Sequence, residues 1–85
     1  MYTTYILYSK NTDKFYIGYT GDTVESRLQK HLTSHKGFTG HSKDWEIAYS
    51  KTFELKKDAM QFERELKNWK SKARIAKLVS EHPAP

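Results

Sequence analysis

Apolar and polar positions alternate most clearly near the start of the chain. Tyr5-Ile6-Leu7-Tyr8-Ser9 and Lys14-Phe15-Tyr16-Ile17-Gly18 are two runs rich in aromatic and β-branched residues. Lys10-Asn11-Thr12-Asp13 lies between them with turn chemistry. This predicts a β-hairpin, with strands over 2–9 and 14–20. Side chains alternate across a strand, so Tyr5 and Leu7 share one face while Ile6 and Tyr8 share the other. Tyr16 and Gly18 share a face on the return strand, and a hairpin can bring Tyr5 and Tyr16 onto one surface. Strand tyrosines equally serve as half-buried fillers. Gly18 ends the second strand with no side chain, which permits close approach.

After the turn Thr20-Gly21-Asp22-Thr23 the period changes to that of a helix. Val24, Leu28 and Leu32 form an i,i+4 stripe that predicts a helix to about Ser34. Asp22 or Thr23 can cap it, and Asp22 with Glu25 has the spacing of a capping box. Arg27 and His31 form a second i,i+4 pair at the border of the stripe, where a side chain is part-shielded yet can meet a ligand. Residues 35–43 read as a polar loop punctuated by two glycines. Residues 45–53 read as a third strand, with Ile47, Tyr49 and Lys51 facing one way and Glu46, Ala48 and Ser50 the other.

A second helix starts near Leu55 or Lys56 without a good cap. Its stripe is Ala59, Phe62, Leu66 and Trp69, and Glu63 lies beside it at i,i+4 from Lys67. A break at Asn68-Trp69-Lys70 leads to Ser71, an N-cap for a third helix that turns Ile75, Leu78 and Val79 inward. The expected fold is α/β (α+β): a small three-stranded, mostly antiparallel sheet flanked by three helices, in the order β-β-α-β-α-α. Residues 1–80 read as one domain and 81–85 as a frayed tail, because its two prolines resist helix.

Composition narrows the class. A chain of 85 residues buries a thin core, and with no cysteine it has neither disulfides nor thiolate metal ligands. Two Trp, six Tyr and four Phe supply bulky packing units instead. No apolar run is long enough to span a membrane, and Met1-Tyr2-Thr3-Thr4 lacks the basic and apolar parts of a secretory signal. A cytoplasmic protein is expected. The 15 Lys+Arg against 10 Asp+Glu give a net charge of +5, which favours a polyanionic partner. Residues 64–77 hold six bases (Arg64, Lys67, Lys70, Lys72, Arg74, Lys77) against Glu65 alone. With Lys36 and Lys43 of the loop, Lys67, Lys70, Lys72 and Arg74 are candidates for phosphate contacts. A solvated helical face is the alternative reading. His31, His35 and His41 could be read as a zinc site, but no Cys or nearby carboxylate completes the ligand set.

The ordered set of Tyr5, Tyr16-Ile17-Gly18, Arg27-x-x-x-His31 and Glu63 within Phe62-Glu63-Arg64-Glu65-Leu66-Lys67 resembles the GIY-YIG endonuclease superfamily. The likeness covers about residues 2–79 and is nearest to small stand-alone members similar to the nuclease domain of the C protein of excinuclease ABC. The chain departs from the family pattern in three places. Thr3-Thr4-Tyr5 keeps only the tyrosine of the first tripeptide. Tyr19 stands where many members have lysine, and Ile75 stands where an asparagine is expected about a dozen positions after the glutamate.

The resemblance implies a metal-dependent DNA endonuclease, with roles in DNA repair or recombination on branched or damaged DNA. Its implied catalytic set is Tyr5, Tyr16, Arg27, His31 and Glu63. Glu63 would hold one Mg²⁺ (or Mn²⁺), whose other positions water and phosphate oxygens would fill. Arg27 would clamp phosphoryl oxygens with its planar fork. Tyr5 or Tyr16 would take the proton of the attacking water. A free phenol has a pKa of about 10, so that role calls for a value lowered by Arg27 and the metal. His31 would accept or relay the proton. The departures favour, as runner-up, a basic module on the same fold that binds nucleic acid without cutting it. A protein-interaction domain is the third reading.

Overall fold

The computed structural model describes residues 1–33 and 44–81, with side chains described for 1–29 and 44–81. The elements follow the expected order: β1 (Tyr2–Ser9), β2 (Lys14–Thr20), α1 (Val24–Thr33), β3 (Glu46–Phe53), α2 (Lys56–Asn68) and α3 (Lys72–Glu81). The strands form one antiparallel sheet in the order β2-β1-β3, so β1 is central and both its faces are covered. Accordingly Thr3, Thr4, Tyr5, Ile6, Leu7 and Ser9 are all buried, although their side chains point alternately to the two sides.

Each face of the sheet has its own core. Tyr5, Leu7, Val24 and Trp45 cluster on the side of α1, joined by Tyr16, Leu28 and Ile47. Ile6, Leu66 and Ile75 cluster on the side of α2 and α3, joined by Phe15, Ile17, Tyr49, Phe62, Trp69, Leu78 and Val79. Thr4 Oγ1 donates to the carbonyl of Ala59 at 2.7 Å. This bond satisfies a buried hydroxyl and joins the central strand to α2.

The third strand departs from the expected alternation. Its register against β1 runs Ile6↔Tyr49 and then Leu7↔Ile47, so a β-bulge leaves Ala48 as the extra residue. An inserted residue reverses which face the next side chain meets. Ile47 therefore packs with Tyr5 and Leu7, while Tyr49 packs beneath α2, its ring 6.3 Å from that of Phe62. The expectation that Ile47 and Tyr49 share a face is corrected by that one residue.

The helix termini follow local chemistry. At α1 the cap is Thr23, whose Oγ1 accepts from the Ser26 amide at 3.1 Å, so the Asp22–Glu25 capping box does not form. Asp22 instead turns its amide to Thr20 Oγ1 at 3.0 Å. Leu55 precedes α2 without a side-chain cap, as its apolar side chain requires. Ser71 caps α3, accepting from the Arg74 amide at 3.2 Å. Lys70, with φ of 48°, makes the left-handed step between these two helices. Glu81 belongs to α3 and pairs with Lys77 at 3.9 Å; the rest of the expected tail, 82–85, lies outside the described residues.

Candidate nuclease site

The site begins with the pairing of Tyr5 and Gly18. These residues face each other across β1 and β2. A Cβ at position 18 would stand 2.6 Å from Tyr5 Oη, 2.8 Å from Tyr5 Cζ and 3.3 Å from Tyr16 Cε1. The Tyr5 ring thus lies directly over the glycine and carries its hydroxyl from the central strand out to the edge strand. Any side chain at 18 would occupy that path. Tyr16 sits two residues earlier on β2, on the same face, and is half-buried where Tyr5 is 1% exposed.

Helix α1 brings in the cation. Val24 and Leu28 anchor it on the Tyr5 side of the sheet, which places the half-buried Arg27 over the hairpin. The guanidinium donates to the Tyr5 hydroxyl, and this bond, followed by the Tyr5 charge, raises the Arg27 pKa further above its ordinary range. Arg27 Nε is buried and has no partner. A buried donor left unpaired costs free energy, and an anionic oxygen is the acceptor best suited to a guanidinium.

Burial raises the Tyr5 pKa above the usual phenol value of 10.0, and the Arg27 bond and charge only partly oppose it. Tyr16 and Glu63 add to the rise, so the charge of Glu63, on α2, is felt at the Tyr5 hydroxyl. For Tyr5, burial thus works against the lowering that a proton-accepting role calls for. Desolvation of a nearly sealed ring outweighs one neighbouring cation.

Glu63 is 20% exposed and faces Lys67 at 3.5 Å, the expected i,i+4 pair. Among the described residues no three His, Cys, Asp or Glu side chains gather as a metal cage. A single, partly exposed carboxylate suits a hard cation that keeps its waters and shares phosphate oxygens, as Mg²⁺ does. It does not suit a metal held wholly by protein. The side chains of His31, His35 and His41, and of Lys36 and Lys43, lie outside the described residues. His31 itself is on α1, one turn beyond Arg27.

The remaining basic candidates sit at the end of α2 and on α3. Lys72 donates to Asp13 Oδ2 in the hairpin turn, and Tyr8 Oη donates to Asp13 Oδ1 at 2.6 Å. Arg74 lies 4.3 Å over the Trp69 ring. Lys70 has no ion pair among the described residues. The Lys72–Asp13 link is invisible in sequence because 59 positions separate the partners. The same holds for Asp44, which accepts from Ser9 Oγ at 2.6 Å and from the Asn11 amide at 2.8 Å and so ties the hairpin turn to the start of β3. Of the departing positions, Ile75 is 5% exposed within the second core and gives the site no polar atom.

Two hydroxyls, a guanidinium with a spare donor and one carboxylate thus come from β1, β2, α1 and α2 to act on one another. This is the equipment for holding a phosphodiester. No curated protein and no solved structure matches the chain. The family model for the GIY-YIG catalytic domain matches residues 1–77, and with them nearly all of the sheet and helices described above. The chain therefore belongs to the GIY-YIG catalytic domain family, whose function is of the nuclease type, with DNA as its partner.

Proposed function

We propose that this domain is a metal-dependent DNA endonuclease that hydrolyses phosphodiester bonds at the Tyr5–Tyr16–Arg27–Glu63 cluster. The observation that carries this reading is the half-buried Arg27 guanidinium, which donates to a Tyr5 hydroxyl that also feels Tyr16 and Glu63. Its remaining N–H groups would take a phosphoryl oxygen. The donors would then stabilise the charge that grows on phosphorus-bound oxygens as the bond breaks.

Roles divide between the two tyrosines by burial. Tyr5, raised by desolvation, stays protonated at neutral pH. It accepts from Arg27 and so orients the guanidinium. Tyr16, half exposed on the edge strand, is the phenol that can meet a water and take its proton as that water attacks. His31, one turn along α1 from Arg27, serves as the relay for that proton. Glu63 would hold one Mg²⁺ or Mn²⁺, which when bound supplies Lewis-acid character and stabilises the leaving oxygen. A cytoplasmic role in DNA repair or recombination, akin to that of the nuclease domain in the C protein of excinuclease ABC, is part of the same proposal.

The test is a cleavage panel on duplex, single-stranded and branched DNA, with and without Mg²⁺. Wild-type protein should nick only with metal, and Glu63→Ala should lose nicking while still binding. Nicking that persists in EDTA, or in Glu63→Ala, would overturn the proposal. The second reading, a binder that does not cut, draws on the buried Ile75, which supplies no polar group where the family pattern has one. Salt-sensitive binding indifferent to metal and to Glu63, with no nicking, would establish it.

A further inference from the structure

Beside the candidate site, on the side of the sheet that carries α2 and α3, runs a groove of about 440 Å³. That lies within the range of roughly 300–1,000 Å³ usual for small-ligand pockets. Its floor is apolar: Phe15 and Ile17 from β2, Leu66 from α2 and Ile75 from α3. Its rim carries Lys14, Lys67, Lys70 and Lys72, with Asp13 as the one acid. Two residues link the groove to the candidate site. Tyr16, which packs with Tyr5, is among the groove residues, and Lys67 on the rim pairs with Glu63 at 3.5 Å.

We propose that this groove holds one unpaired nucleotide of the DNA strand being cut, next to the scissile phosphate. Its base rests on the apolar floor and its phosphate on the lysine rim. Charge complementarity argues for the occupant. An apolar peptide segment or lipid would satisfy the floor but bring no charge to complement the basic rim, whereas a nucleotide has a flat apolar face and an anion at one end. Continuity argues for the position, since Tyr16 interacts with Arg27 and also lines the groove, and Lys67 on its rim pairs with Glu63. Lys70 is the rim cation with most to gain, because it has no ion pair among the described residues. A base paired in a duplex cannot turn its face to the floor, so the groove favours DNA with unpaired nucleotides over blunt duplex. The strand's placement beside the scissile bond rests on the nuclease reading; the groove's chemistry does not.

The test uses the full chain in EDTA, where no metal-dependent cutting occurs. A (dT)₄ oligonucleotide titrated into labelled protein should shift the NMR amide signals of residues 14–17 and 66–75. By fluorescence anisotropy a labelled single strand should bind roughly tenfold tighter than a blunt duplex of equal length, within the range that base stacking supplies. Lys70→Glu should weaken single-strand binding by roughly five- to tenfold and duplex binding by less than about twofold. If Lys70→Glu disturbs the fold, which its NMR spectrum reports, Lys14→Glu on the opposite rim should give the same selective loss. Shifts absent from the groove, or equal losses for both DNA forms, would overturn the proposal. If metal-dependent nicking is lost in Glu63→Ala while (dT)₄ shifts lie elsewhere, the groove fails and the nuclease stands. If the groove shifts without any nicking, the groove stands and the nuclease fails.

Discussion

The two faces of the sheet share a central strand but end in different chemistry. Toward α2 and α3, Ile6 meets Leu66 and Ile75, and the surrounding side chains are almost all hydrocarbon or aromatic. Toward α1, Tyr5 and Leu7 meet Val24 and Trp45, but the cluster ends in phenol hydroxyls and a guanidinium. The first face lowers the free energy of the fold by burying apolar area. The second accepts a buried donor without a partner and a phenol kept from water. A fold this small can carry an unpartnered donor on one face because the other buries a continuous apolar cluster. The Arg27 guanidinium beside two phenols is what gives the α1 side groups suited to an anionic ligand.

The contrast can be tested by substitutions on each face, from the largest effect to the smallest. Leu66→Ala removes a side chain 1% exposed in the apolar cluster. It should lower unfolding free energy by about 2–5 kcal/mol, read from urea melts. Arg27→Ala should do the reverse: stability nearly unchanged, DNA cleavage down by roughly 10²–10³-fold, as for loss of one preorganised donor. A comparable loss of stability in Arg27→Ala would mean that the polar face is structural after all.

Gly18→Ala probes both properties at once. The added methyl would meet Tyr5 Oη at 2.6 Å and Cζ at 2.8 Å, and Tyr5 is too buried to move freely. Overpacking should cost about 1–3 kcal/mol, and the displaced hydroxyl should cut activity by roughly 10²-fold. In a Tyr5→Phe background the same change should cost less stability, because the nearest atom is gone; a double-mutant cycle measures the difference.

The smallest effect concerns pH. Tyr5 has a folded pKa raised above 10.0, so the folded state holds this proton more tightly than the unfolded one. Its contribution to stability is complete below about pH 10 and is lost as pH rises through the folded value. Tyr5→Phe should flatten that alkaline fall in chemical melts between about pH 9 and 11, with little change near neutrality.

Hydrophobic periodicity made the hairpin, the helix stripes and the uncapped start of α2 legible, because each depends on neighbours within a few residues. The same local logic located Ser71 as a cap and Glu63 opposite Lys67. It failed at β3, where Ile47 and Tyr49 alternate like a regular strand and nothing in their identity announces the bulge at Ala48. It is silent on how deeply the Tyr5 hydroxyl is buried, since spacing tells which charges are near but not how much water has been excluded.

What the chain's order of residues determined on its own was the kind of elements, their succession and the residue types available for chemistry. Local backbone preference and one-sided burial depend on short-range pattern, so they are written in it. Tertiary structure alone decided that the Tyr5 hydroxyl lies across Gly18, that it accepts from Arg27, and that lysines from β2, α2 and α3 rim one groove. Those facts depend on strand register, on a single inserted residue and on desolvation. Each is a property of distant segments brought together, and none has a value until the chain has folded.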